Sequence, residues 1–345
     1  KFTERAAGAI AEIGYNNFVF SFHAVYLGYS CPIRSESKSV FAGRSGLLKG
    51  ISAYGTFAGN FAANAEAAFD AEGNTAYSGG FEHLAGNIKL GAAFRYFSNS
   101  FRSPYGYNFG STETPANESG IYAAATWRPD SKNLLGLSVD IFRTPSVAKG
   151  NNFKSDGIAT GVDYESKISR NSRLFLRLRL RDKSEEAGDS TDAFRYREQT
   201  ISFRCELRKD VSSYLSALVR ADYAAARVGA NETGMRGSAV TFGLQPKPWS
   251  RLATSWRGSV YSTDGYAAAI WVFDGSLPGM LRTVALYGSG FYWTVDARIE
   301  FAKKSFISLK YFENRKFNTE TIGSGNEEIG SGTARGMFIQ IDLNI

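Results

Sequence analysis

From Arg173 to Arg181 the chain alternates with a period of two. Leu174, Leu176, Leu178 and Leu180 fall on one side, and Arg173, Phe175, Arg177, Arg179 and Arg181 on the other. Successive side chains of a strand point to opposite faces, so this segment predicts a strand with one apolar and one strongly basic face. The pattern returns along the chain. Ile201, Phe203, Cys205 and Leu207 alternate with Ser202, Arg204, Glu206 and Arg208. Phe291, Trp293, Val295, Ala297, Ile299 and Phe301 alternate with Tyr292, Thr294, Asp296, Arg298 and Glu300. Near the end Met337, Ile339, Ile341, Leu343 and Ile345 alternate with Phe338, Gln340, Asp342 and Asn344. This reading predicts seventeen strands, at 5–14, 17–30, 47–58, 60–70, 74–85, 87–98, 117–129, 133–145, 154–168, 172–184, 193–208, 211–227, 235–248, 251–263, 285–301, 305–317 and 334–345.

The breaks between strands are of two kinds that mostly alternate. Short ones fall at Tyr15-Asn16-Asn17, Gly59-Asn60, Gly86-Asn87, Arg128 to Lys132, Arg170-Asn171, Lys209-Asp210, Trp249-Ser250 and Lys303-Lys304. Long polar ones run from Cys31 to Leu47, Ser98 to Ala116, Pro145 to Asn152, Lys183 to Ala193, Asp264 to Val284 and Phe317 to Thr333. Short periplasmic turns alternating with longer outer loops mark outer-membrane barrels. A sheet that crosses hydrocarbon must also close, so that no edge is left unpaired. The fold predicted is an all-β, antiparallel transmembrane outer-membrane β-barrel forming a single domain over 1–345. An odd strand count implies that at least one N-terminal strand is missing or supplied by another polypeptide, for an intact barrel of at least about 18 strands.

Composition sharpens this picture. Hydrophobic residues make up 43% of the chain and aromatic residues 14%, yet the mean hydropathy is −0.24, so apolar residues are plentiful without being clustered. No stretch approaches the roughly 20 consecutive apolar residues of a spanning helix. Trp127, Trp249, Trp256, Trp271 and Trp293 lie near predicted strand ends or within strands, as interface girdles or as ordinary lipid-facing residues. Leu174, Leu176, Leu178, Leu180, Trp293, Ile339, Ile341 and Leu343 are the residues predicted to face outer-membrane lipids.

The net charge of +7 is consistent either with a solvated surface or with a cation-lined lumen that favours anions. Arg173, Arg177, Arg179, Arg181, Arg204 and Arg208 form the predicted lumenal basic ladder, with Glu206, Asp296 and Glu300 as acidic partners and Glu198 as a further compensating charge. Such a ladder serves either as a salt-bridge brace or as an anion path, including one for lipopolysaccharide phosphate. Asp182, Glu185, Glu186, Asp189 and Asp192 cluster in one predicted loop, where a solvated surface outweighs a cation site. The only histidines, His23 and His83, stand near no nucleophile motif. Cys31 and Cys205 give no metal spacing. Neither an enzyme activity nor a cofactor is expected.

Asp264-Gly265-Tyr266, Leu277-Pro278-Gly279, Leu286-Tyr287-Gly288 and Ile322-Gly323-Ser324-Gly325 with Glu328-Ile329 resemble the barrel region of helix-hairpin-helix domain-containing outer-membrane proteins of Gram-negative bacteria. Asn117-Glu118-Ser119-Gly120-Ile121-Tyr122 and Asp140-Ile141-Phe142-Arg143-Thr144-Pro145 are similar to earlier blocks of that family. The likeness is clearest from about residue 255 onward. It implies a barrel preceded, in the family, by small DNA-binding repeats, none of which occurs in this sequence. Nucleic acid would therefore be a partner only through a missing segment. Two functions follow as expectations: a pore or transport barrel for polar or anionic solutes, or a plugged barrel that docks a partner and is linked to DNA uptake.

Overall fold

The computed structural model describes residues 3–33, 42–103, 110, 116–147, 153–187, 194–229, 233–246, 251–274, 277, 282–317, 319–322 and 329–343. Seventeen strands form one sheet, and two further strands form a separate hairpin. The first eight strands are β1 (Glu4–Tyr15), β2 (Phe18–Ile33), β3 (Gly43–Phe57), β4 (Phe61–Phe69), β5 (Thr75–Ala85), β6 (Ile88–Phe97), β7 (Glu118–Trp127) and β8 (Asn133–Arg143). Six more are β9 (Asp156–Ser169), β10 (Ser172–Ala187), β11 (Phe194–Ser212), β12 (Leu215–Val228), β13 (Thr233–Pro246) and β14 (Leu252–Thr263). The hairpin is β15 (Ile270–Asp274) with β16 (Arg282–Leu286), and the sheet resumes with β17 (Ser289–Ala302), β18 (Ser305–Lys316) and β19 (Thr333–Asp342). Strands pair antiparallel with their neighbours in the chain, except that β14 pairs with β17 past the hairpin. All seventeen predicted strands are present.

Two differences stand out. Lys209-Asp210 is not a turn: β11 continues through it to Ser212, with a register shift between Asp210 and Ser212 and the turn at Ser213-Tyr214. The segment 264–284, predicted as a polar loop, contains β15 and the first three residues of β16, whose last two fall in the strand predicted at 285–301. Ile270 and Val272 of β15 alternate with Trp271 and Phe273, a period-two signal too short to stand out against its glycine- and proline-rich surroundings. Trp249-Ser250 lies outside the described residues.

Contacts divide the chain into two compact units. The first comprises Lys1–Pro129, Leu135–Gly161 and Arg181–Glu198, and the second Asp130–Leu134, Val162–Leu180 and Gln199–Ile345.

The two faces differ clearly on β13 and β19, whereas β1 is exposed along its whole length and residues 174–179 of β10 are half-buried on both faces. On β13, Val240, Phe242 and Leu244 are exposed, whereas Ala239, Thr241 and Gly243 between them are buried. On β19, Ile339 and Ile341 are about three-fifths exposed, and Leu343 just beyond the strand is exposed too. Water-exposed faces of a soluble sheet are polar, so contiguous exposed apolar rows of this kind suit hydrocarbon. In the first unit Phe18, Phe57, Phe61 and Phe81 run ring to ring at 5.1, 6.0 and 5.7 Å. Phe18, Phe57 and Phe61 adjoin two short turns, which puts this aromatic band at the short-turn end of the strands. The two-residue turn between β1 and β2 has Asn16 at φ 52°, a left-handed conformation that asparagine tolerates.

Candidate functional site in the second unit

The polar face of the second unit is built by register. Arg204 of β11 lies opposite Asp222 of β12, and Glu206 opposite Arg220. Arg220 in turn lies opposite Thr241, which lies opposite Ser259. All these positions share one face because pairing conserves the pleat. The side chains close the row. Asp222 accepts from Arg204 Nε at 2.6 Å and from Arg220 Nε at 2.8 Å. Thr241 and Ser259 share a hydroxyl hydrogen bond of 2.8 Å, and Glu206 accepts from Arg208 Nε at 2.7 Å. Asp222 is thus one carboxylate held between two guanidiniums.

The hairpin covers this face. Ile270, Val272 and Leu286 are nearly fully buried and pack with Ala224, Ala239, Tyr261 and Tyr292 of the sheet. The chain is brought back over β13 at Gly237, where a Cβ atom would lie 2.2 Å from the carbonyl oxygen of Ala268. Only a residue without a side chain permits that approach. The base of the excursion is clamped: the Thr263 amide donates to the Gly288 carbonyl, and the Asp264 carboxylate accepts from the Arg236 amide. Two arginines of the wall reach β15, Arg204 donating to the Trp271 carbonyl at 2.8 Å and Arg257 to that of Phe273 at 3.4 Å.

Beneath the hairpin lies a cavity of about 540 Å³ lined by Arg173, Arg204, Arg208, Arg220 and Arg257, by Glu165, Glu206 and Thr241, and by Phe175, Leu218 and Phe273. With Asp222, the five guanidiniums face three carboxylates, a surplus of two positive charges. A second cavity of about 220 Å³ shares Arg173, Arg208, Leu218 and Arg257 with the first, and extends to Asn171 and Asp210 at the strand ends. The two together make a basic groove. Among the described residues no carboxylate lies within ion-pair distance of Arg173 or Arg257.

The predicted ladder is therefore divided. Arg173, Arg204 and Arg208 meet at the cavity. Arg177 and Arg179 both grip Asp163 of β9, at 2.8 and 2.7 Å. Arg181 stacks on Phe142 in the first unit, 5.5 Å from the ring centre. Of the predicted acidic partners, Glu206 lines the cavity. Asp296 accepts from Ser255 at 3.1 Å and lies 4.0 Å from Lys310, and Glu300 accepts from the Lys304 amide in the β17–β18 turn. Glu198 is half-buried on β11. Leu174, Leu176 and Leu178 are half-buried and Leu180 is exposed, while half-buried Trp293 packs on Tyr311 at 5.0 Å. Asp163, Asp222, Arg220 and Arg257 escaped the sequence reading. The first three sit in alternating segments with few other charges, and Arg257 follows Trp256 with no run of like charges to mark it.

The remaining candidates are placed simply. Asp182 pairs with Arg197 at 3.2 Å; Glu185 and Glu186 belong to β10, and Asp189 and Asp192 lie outside the described residues. No metal-binding cluster occurs among the described residues. Cys31 and Cys205 are both free. His23 stands 3.9 Å from Glu66, and His83 tilts against Phe61.

No family model matches the chain, and no curated protein matches it. Solved structures do. The chain is similar to the copper transporter OprC, with 12% identity and a TM-score of 0.57 over 92% of this chain and 64% of that one. The FrpB iron transporter from Neisseria meningitidis gives 10% identity and a TM-score of 0.55 over 90% and 59%. The siderophore receptor PirA from Acinetobacter baumannii gives 9% and 0.53 over 93% and 61%. The chain thus spans about three-fifths of the length of these structures. The fold is that of an outer-membrane β-barrel, and its apolar strand faces belong in the hydrocarbon of the bacterial outer membrane.

Proposed function

We propose that the chain is a transport barrel that passes polar solutes, anions in preference, along the charged face of its strands, with outer-membrane lipids against the apolar face. The observation that carries this reading is the basic groove of the second unit, where Arg173 and Arg257 lack carboxylate partners among the described residues. Fixed cationic side chains along an aqueous path favour anions over cations. The named likenesses, two metal transporters and a siderophore receptor, support transport as the class of activity. A second reading, a plugged barrel that docks a partner, is supported by the hairpin seated on the polar face of β12 to β14.

Planar-bilayer recording separates the two. A pore gives stable single-channel conductance, with a reversal potential displaced toward anions in a salt gradient. Arg173→Ser combined with Arg257→Ser moves that potential toward cations. An unmoved potential removes the anionic path, and electrical silence favours docking.

A further inference from the structure

The cavity under the hairpin combines two chemistries that an ion path alone does not need. Inorganic anions require charge and hydrogen-bond donors only. Here Phe175, Leu218 and Phe273 line the same space as the arginines. Phe175 stands out because it occupies the otherwise basic face of β10, where Arg177 stacks on its ring at 5.0 Å. At about 540 Å³ the cavity lies within the roughly 300–1,000 Å³ typical of small-molecule sites. Its polar groups are also sorted. Arg204 and Arg220 are held by Asp222, and Arg208 by Glu206, so their orientations are set by the protein. Arg173 and Arg257 retain donors in a planar fork suited to a carboxylate or phosphate. Arg257 spends one donor on the Phe273 carbonyl at 3.4 Å, a long contact that a charged acceptor readily replaces.

We infer that this cavity is a saturable binding site for a small organic anion, one carboxylate or phosphate on a ring-sized apolar body. Arg173 and Arg257 take the anionic group, and Phe175 and Phe273 take the ring. The inference rests on the transport reading for its purpose but not for its chemistry, since binding requires no conduction.

The test uses the whole chain in detergent micelles, with titration calorimetry and benzoate, phenyl phosphate, benzamide and inorganic phosphate as probes. Benzoate or phenyl phosphate is expected to bind saturably, and benzamide and inorganic phosphate at least about tenfold more weakly, since each lacks one of the two recognised parts. Arg257→Gln is expected to weaken benzoate binding at least about tenfold, with Arg335→Gln on β19 as an unaffected control. Benzamide binding as tightly as benzoate overturns the inference without any variant. So does equal benzoate binding by Arg257→Gln, or inorganic phosphate binding as well as phenyl phosphate. Saturable binding by a barrel that does not conduct upholds the site and removes the transport reading. Conduction without saturable binding of either aromatic anion does the reverse.

Discussion

Arg95 in the first unit and Arg220 in the second are both buried on strands, 2% and 7% exposed, yet they are neutralised in opposite ways. Arg95 of β6 is one guanidinium between two carboxylates. Its Nε donates to Glu118 of β7, and its Nη atoms donate to both oxygens of Asp140 of β8 at 2.8 and 3.1 Å. The guanidinium lies against Gly120, where a Cβ atom would come within 2.6 Å of Cζ. The side chain is fully buried, with its Nε edge on one carboxylate and its Nη edge on the other. Arg220 shares a single carboxylate, Asp222, with Arg204, and both arginines open onto a cavity. Excess acid packed closed makes a brace; excess base around open space makes a place for an anion. The same residue types therefore serve different ends according to stoichiometry and access.

The largest effect expected is at the brace. Arg95→Met leaves buried Glu118 and half-buried Asp140 without their shared cation, which costs about 3–5 kcal/mol. Urea unfolding in micelles, followed by strand signal in circular dichroism, reads this directly, and a loss below 1 kcal/mol would equate the triad with a surface pair. Next comes Asp222→Asn, which removes the charge held between Arg204 and Arg220 and costs about 1.5–3 kcal/mol by the same measurement. This variant is also expected to increase anion preference, whereas Arg95→Met leaves the reversal potential unchanged. A potential that moves equally in both variants breaks the distinction between brace and site.

Gly120→Val sharpens the packing half of the comparison. The added side chain overlaps the Arg95 guanidinium and costs about 1–3 kcal/mol. In the Arg95→Met background that cost is expected to shrink, because the flexible thioether yields. An undiminished cost would place the clash elsewhere than at Arg95.

The smallest effect belongs to a turn outside the spanning strands. Asp130 accepts from the Asn133 side chain and from the Lys132 and Asn133 amides, and these hold its carboxyl below the ordinary carboxylate range. A depressed carboxyl contributes stability that is present above its unfolded value and lost as pH falls through its folded value. Asp130→Asn is therefore expected to be slightly less stable than the parent at neutral pH and equal to it once pH drops below the folded carboxyl value. A difference independent of pH would assign the effect to hydrogen-bond geometry rather than charge.

Much of the fold was legible in particular residues. The leucine and arginine alternation at 173–181 is a strand, Asn16-Asn17 and Gly86-Asn87 are turns, and Ile339, Ile341 and Leu343 are exposed. Less of the site was. Arg177 and Arg179 meet Asp163 rather than Glu206, since register on β9 rather than proximity in sequence selects the partner. Arg95, Glu118 and Asp140 come from three strands and show no shared motif, although Glu118, Gly120 and Asp140 all lie within the family-like blocks.

What the sequence determined by itself was periodic and local: where strands run, which face of each is apolar, and where short turns reverse the chain. A two-residue repeat carries that information in every segment independently. Only the tertiary structure decided which carboxylate neutralises which arginine, and that the chain passes over Gly237 at Ala268 and lays the β15–β16 hairpin over a basic cavity. Those outcomes depend on register between strands and on where a loop finds room to pack, and both are set by residues far apart in the chain.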